Sequence, residues 1–166
     1  MIFLSVICAK AKDPLTLESG SLKELANAAN TVYFTVDYSN AVVHNDGNEY
    51  SLDGYLEHRG PDFVADWNRD SAKAYSYIPV RFNQKNKKGA QALMTEGKHD
   101  ITGTVCLTDI DFGNGAGSFN PFGGAKAGGC IISGKLVFTN ADNTEIAVLP
   151  FSEVKGLGHV SETIRL

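Results

Sequence analysis

Two aspartates on one predicted strand are the residues whose type and spacing could do chemistry. Asp109 and Asp111 lie two positions apart, so a strand would place both side chains on the same face. Paired carboxylates can act as general acid and base or hold a cation, which would suit a hydrolase or a metal-dependent enzyme. The sequence implies no third ligand beside them, and solvated carboxylates at the end of a strand are the simpler interpretation.

The other residue types that support catalysis are scattered. Zinc motifs place pairs of histidines or cysteines a few residues apart, and this spacing is absent. No serine lies in the G-x-S-x-G setting of a nucleophile elbow. The sequence therefore predicts no catalytic, cofactor-binding or metal-binding residue and no cofactor. The four histidines are His44, His58, His99 and His159.

A glycine-rich stretch at residues 112–129 contains seven glycines and separates two strand patterns. It is not a phosphate-binding loop, because Lys126 is followed by alanine and then by a strand instead of a helix. We expect a long hairpin loop. Its aromatic residues Phe119 and Phe122 could contact a partner, or could bind a small ligand or a glycan together with Tyr33.

Strand patterns on both sides of this loop predict an antiparallel meander of residues 101–112, 130–139 and 145–151. In the first of these, Leu107 and Ile110 fall on opposite faces under strict alternation. Strict alternation does not allow this for two core residues, so we infer a β-bulge or a strong twist near Asp109. A hairpin symmetric about residue 118 would place Cys106 opposite Cys130, where a disulfide is possible. The alternative is two free, buried thiols.

The first half of the chain supplies the helices. Residues 31–38 alternate as a strand, residues 39–48 read as a loop, and residues 90–95 suggest a short edge strand. Apolar residues at helical spacing follow Ser51, and Pro61 suits the first position of a new helix. The sequence predicts an α+β fold, with a mostly antiparallel sheet of about four to five strands and helices packed on one face.

The composition and the two termini of the sequence limit the classes of function that it can have. The net charge is −4, and no cluster of lysine and arginine interleaves with aromatic residues, which argues against nucleic-acid binding. No apolar run is long enough for a transmembrane helix. Residues 1–11 combine an apolar run with an A-x-A step, typical of a signal-peptide remnant. Residues 12–166 would form one domain, and residues 161–166 the start of a final helix that is either truncated or frayed.

Several stretches of the chain carry a resemblance. They are the short Leu-rich segment and strand of Leu22–Tyr38 (VYFTVDYSN), the helix with Trp67, the helix end at 82–89, Asp111-Phe112-Gly113 and Gly156-Leu157-Gly158. In these stretches the chain resembles a family of small, secreted Gram-negative envelope proteins of unknown function. The resemblance covers residues 12–166, and it supplies no catalytic residue. Members usually continue the last helix, which implies truncation here, and usually have a shorter glycine loop. More distantly, the chain is similar to mixed α/β domains of periplasmic assembly and secretion factors.

These observations predict a periplasmic or secreted protein that is not an enzyme. We expect a non-catalytic module whose partner is an unidentified envelope protein or a second copy of itself, with no nucleic acid and no transmembrane segment. Two alternatives stay open. One is a hydrolase or metal-dependent enzyme using Asp109 and Asp111, and the other is a binder of a small ligand or glycan.

Overall fold

The structure, a computed structural model, describes residues 16–28, 30–45, 47–112 and 131–155. These residues form three helices and one eight-stranded sheet. None of these helices is both long enough and apolar enough to cross a membrane. In chain order the elements are β1 (Ser19–Gly20), α1 (Leu22–Ala28), β2 (Thr31–Asp37), β3 (Val42–Asn45), β4 (Asn48–Ser51), α2 (Leu52–Arg59), α3 (Pro61–Lys85), β5 (Gln91–Ala92), β6 (Ile101–Asp111), β7 (Ile131–Asn140) and β8 (Glu145–Lys155).

The sheet contains the predicted meander but is larger than predicted, and it is mixed. Strands β6, β7 and β8 pair antiparallel, whereas β2 and β3 pair parallel to β6, and β5 pairs parallel to β2. The prediction of a mostly antiparallel sheet of four to five strands is therefore wrong. The reason is the length of β6. Its eleven residues accommodate β2 beside Ile101–Cys106 and β3 beside Asp109–Asp111, so two short strands share one edge.

The bulge predicted near Asp109 is confirmed. The register between β6 and β7 shifts between Leu107 and Asp109. Because of this shift, Ile101, Leu107 and Ile110 are all buried, although strict alternation would have turned Ile110 towards solvent. Asp109 and its neighbour Asp111 consequently lie together on the opposite face.

Helices cover one face of the sheet, as predicted. Ser51 begins α2 by accepting the backbone N–H of Gly54 at 3.1 Å, and Pro61 occupies the first turn of α3. The buried residues form two clusters, one with Leu25 and Phe82 from α1 and α3, the other with Tyr55 from α2. The other side of the sheet, which none of the three helices covers, is called the open face. It carries Tyr33, Thr35, Thr102, Thr104, Cys106, Lys135 and Val137.

A glycine makes room for the aromatic packing between sheet and helices. Gly103 lies between Phe34 on β2 and Phe138 on β7. The two rings meet across it in an edge arrangement, with centroids 6.4 Å apart. A Cβ at this position would lie 2.7 Å from Cε1 of Phe34, so the close approach requires glycine.

One local prediction is wrong. Residues 39–48 were expected to be a loop, but they contain β3 and the start of the β3–β4 hairpin. Gly47 lies between the two strands of that hairpin, and each strand is only four residues long. Within residues 82–89, α3 ends at Lys85, and Asn86 caps it.

The hairpin register that would have set Cys106 opposite Cys130 is not the observed one. Lys135 lies opposite Cys106, and Ile131 pairs with Asp111 at the far end of β6. The hairpin is thus centred later in the chain than residue 118. Cys106 is a free, half-buried thiol whose pKa is raised by burial. Cys130 itself, residues 1–11, the glycine-rich stretch after Phe112 and residues 156–166 lie outside the described residues.

The outer edge of β8 is occupied over part of its length and lacks a backbone donor at Pro150. β1 pairs with β8 only at Ala147 and Val148. The carbonyls of Ile146 and Val148 accept hydrogen bonds from Ser21 and Glu18, so even-numbered residues of this stretch face outwards. Pro150 is the next outward-facing residue, and it has no N–H to offer.

Candidate functional site

The open face brings Asp109 together with a histidine from a distant part of the chain. Asp109 and Asp111 share this face, as predicted, because Ile110 between them is buried. Val43 is fully buried on β3, which turns its neighbour His44 to the open face. Parallel pairing of β3 with β6 then sets Nε2 of His44 3.2 Å from Oδ1 of Asp109.

Hydrogen bonds hold Asp109 in its charged form. Its Oδ2 accepts the hydroxyl of Thr108 at 2.7 Å, and its Oδ1 faces His44. These two bonds, Thr108 first, lower the pKa of Asp109 below its ordinary value, while slight burial opposes them. Asp109 therefore acts as a hydrogen-bond acceptor at neutral pH and is poorly suited to be a general acid.

A second carboxylate reaches the same histidine. Oε1 of Glu49, on β4, lies 3.6 Å from Nδ1 of His44. The histidine thus has a carboxylate at each ring nitrogen. The side chains of His44, Asp109 and Glu49 are 42%, 49% and 73% exposed, so the group lies on the surface and not in a cavity. Exposed pairs of this kind contribute little to stability, about 0–1 kcal/mol each.

The other histidines considered in the sequence lie elsewhere. The ring of His58 stacks on Tyr50 at 5.5 Å. His99 contacts the ring of Tyr33 and places Nε2 3.0 Å from the hydroxyl of Thr102. Among the described residues no three metal-ligating side chains converge on a point where an ion could bind. His159, Phe119 and Phe122 lie outside the described residues.

A cavity lies at another place, where β2 ends and α2 begins. It has a volume of about 320 Å³ and opens to solvent. The N–H of Ser39 donates to Asp37 at 2.9 Å and lowers the pKa of that carboxyl, so Asp37 is charged at neutral pH. The lining residues are Val36, Asp37, Tyr38, Ser39, Ser51, Leu52 and Asp53, and neither His44 nor Asp109 is among them.

Aromatic side chains gather where β6 meets the glycine-rich stretch. Phe112 stacks on Tyr55 at 5.1 Å and meets Phe63 and Trp67 edge-on. The guanidinium of Arg59 lies 4.7 Å from the centre of the Phe63 ring. Tyr55 is buried, and Phe63, Trp67 and Phe112 are half-buried. These aromatic side chains therefore form part of the hydrophobic core at the end of β6.

Sequence reasoning found Asp109 and Asp111 but missed their neighbours. The signal that could have found them is the alternation of buried and polar residues around the turn at Gly47, which places His44 and Glu49 on the open face.

Comparison with known proteins identifies no relative: no family model, curated protein or solved structure matches the chain.

Proposed function

We propose that this chain is an exported protein of the cell envelope, periplasmic or secreted, that acts by contact with another envelope protein and not by catalysis. The apolar start with its A-x-A step supports export. The resemblance to small secreted envelope proteins supports the same compartment. The contact surface we propose is the open face of the sheet.

The observation that carries this proposal is the chemistry of the open face. Its central hydroxyls, Thr35 and Thr104, bond to one another at 3.2 Å, and both residues are half-buried. The group of His44, Glu49 and Asp109 lies at one end and adds charge. A sheet face with charged groups at its rim suits a macromolecular partner, for which rim charges determine orientation and association rate.

The arrangement at His44 favours this function over hydrolysis. In a catalytic triad one ring nitrogen faces a carboxylate and the other faces the nucleophile. Here both ring nitrogens face carboxylates, those of Asp109 and Glu49. The nearby hydroxyl of Ser133 accepts the N–H of Glu153 at 3.1 Å. This geometry orients charge on a surface and offers no activated nucleophile.

The test is variant-dependent capture from envelope extracts, after chemical cross-linking and with identification by mass spectrometry. Thr104→Arg would place a long cation in the middle of the open face and should reduce recovery of the specific partner at least tenfold. Ala74→Arg, at an exposed position of α3, is the matched control and should retain the partner. A chain lacking residues 113–129 reports whether the glycine-rich stretch contributes.

Three results would contradict the proposal. The first is a set of captured proteins that is the same for Thr104→Arg and for the unaltered chain. The second is recovery of the folded protein from the cytoplasmic fraction alone. The third is turnover of a substrate that Asp109→Asn abolishes, which would favour the enzyme alternative.

A further inference from the structure

The outer row of the sheet has a gap beside β2. On the side away from β6, β5 pairs with Thr31 and Val32, and β4 pairs with β3 from Val42 onwards. Between these two points, Tyr33–Asp37 pair with β6 on one side and with no described strand on the other. We call this unpaired side of residues 33–37 the edge gap.

The backbone at the edge gap is set to accept another strand. The carbonyls of Asn30 and Val32 accept N–H groups of Gln91 and Leu93 at 2.9 and 2.8 Å, so even-numbered residues of β2 face outwards. Phe34 and Val36 therefore direct their N–H and C=O groups into the gap. Five residues at about 3.3 Å each span roughly 16 Å, the length of a short strand.

The cavity of about 320 Å³ lies at one end of the edge gap, along Val36–Ser39 and facing the first turn of α2. The space beside the backbone is therefore open there, and α3 does not fill it. Val36 and Leu52 are apolar residues of its lining, and Asp37 and Asp53 are the acidic ones. A basic side chain on a segment that enters the cavity would favour its binding.

We propose that the edge gap binds an extended segment of a partner protein in which β-branched residues alternate with lysine or arginine, and that this segment completes the outer row between β5 and β4. Main-chain hydrogen bonds to Phe34 and Val36 would supply affinity, and Asp37 with Asp53 would supply the preference for basic residues. The inference rests on the proposed function only in that the chain acts by contact, because it uses the edge of the sheet and not the open face.

The first measurement is by NMR on the ¹⁵N-labelled full chain, titrated with a terminally blocked heptapeptide of alternating valine and lysine. The amides of Phe34 and Val36 should shift and become protected from hydrogen exchange. The amide of Thr35 faces β6 and should stay protected throughout, which makes it an internal control. A heptapeptide with glutamate in place of lysine should bind at least tenfold more weakly.

Variants separate the two sources of binding. Val36→Pro removes one outward N–H and, at an edge position, leaves the bonds to β6 intact. It should weaken binding of the lysine peptide at least tenfold while the circular-dichroism spectrum is retained. The double variant Asp37→Asn/Asp53→Asn should weaken the same peptide by a similar factor. Asp142→Asn, with the same loss of charge in the exposed turn before β8, should bind as the unaltered chain does.

Four outcomes would overturn the inference. The lysine peptide does not bind at millimolar concentration, or the glutamate peptide binds equally well. Val36→Pro and Asp37→Asn/Asp53→Asn both bind the lysine peptide as the unaltered chain does. The amides of Phe34 and Val36 are already protected from exchange in the free chain, which would mean that another part of the same chain fills the edge gap. Thr104→Arg should bind the peptide normally. If the peptide does not bind while envelope capture still depends on Thr104, only the edge-gap inference is wrong. If the peptide binds but capture does not depend on Thr104, the proposal that the open face is the contact surface is wrong instead.

Discussion

Gly103 gives the sharpest test of how the core is packed, because its replacement by alanine has a calculable cost. The added Cβ would lie 2.7 and 2.9 Å from ring atoms of Phe34 and 3.1 Å from the ring of Phe138. Overpacking of this kind costs about 1–3 kcal/mol. Alanine in a strand returns about 0.5–1 kcal/mol of backbone entropy relative to glycine. We expect Gly103→Ala to lower the free energy of unfolding by about 1–2 kcal/mol.

Urea denaturation followed by circular dichroism measures this loss. With a slope of about 2 kcal/mol per molar, the midpoint should fall by about 0.5–1 M at an unchanged slope. Gly97→Ala is the matched control, since its Cβ would make one ordinary contact of 3.7 Å with Leu93. It should stay within about 0.5 kcal/mol of the unaltered chain.

A second substitution tests the cause of that loss. The contact that limits Gly103→Ala is the ring of Phe34, which is half-buried and lies on one side of the glycine. Phe34→Leu removes the ring edge, so the alanine should cost less in that background, with a coupling of about 1 kcal/mol. The reasoning is refuted if Gly103→Ala is as stable as the unaltered chain, or if its cost is the same with and without Phe34.

Substitutions at three further positions test the ends of two secondary-structure elements and one buried hydroxyl by the same denaturation assay. Hydrogen bonds from the N–H groups of Asn30 and Thr31 lower the pKa of Asp100. The contribution of this carboxylate to the stability of the fold is present above its unfolded pKa of about 4 and is lost as the pH falls through the lower, folded pKa. Asp100→Ala should therefore destabilise the protein clearly at pH 7 and hardly at pH 3. The buried hydroxyl of Tyr38 has no hydrogen-bond partner in the described part of the chain, so Tyr38→Phe should raise the free energy of unfolding by about 1 kcal/mol, and a loss would contradict this. Ser51→Ala should cost about 1 kcal/mol through loss of the cap of α2, and Ser51→Asp should restore it.

The elements predicted well are those whose burial follows a local rule. Alternation along β6 and β7, and the break in it at Leu107, determine which side chains reach the core, so the meander and its bulge could be read from neighbouring residues. The parallel pairs could not. Phe34 lies beside Gly103 although the two are 69 positions apart, and no local pattern states that β2 and β3 will share one edge.

The surface group at His44 follows the same division. That Asp109 and Asp111 share a face was predictable, because alternation resumes after the bulge. That His44 would meet Asp109 was not, since it depends on β3 being a strand and on its parallel register with β6. Four-residue strands give weak periodicity, and a histidine beside a turn is typical of a loop.

Pro150 makes the β8 border of the sheet a poorer place for an additional strand. A strand added there would find no N–H at this outward-facing position and would lose one main-chain hydrogen bond. Pairing with a second copy along this border is therefore disfavoured at Pro150, and exchanging it for valine would restore the missing donor.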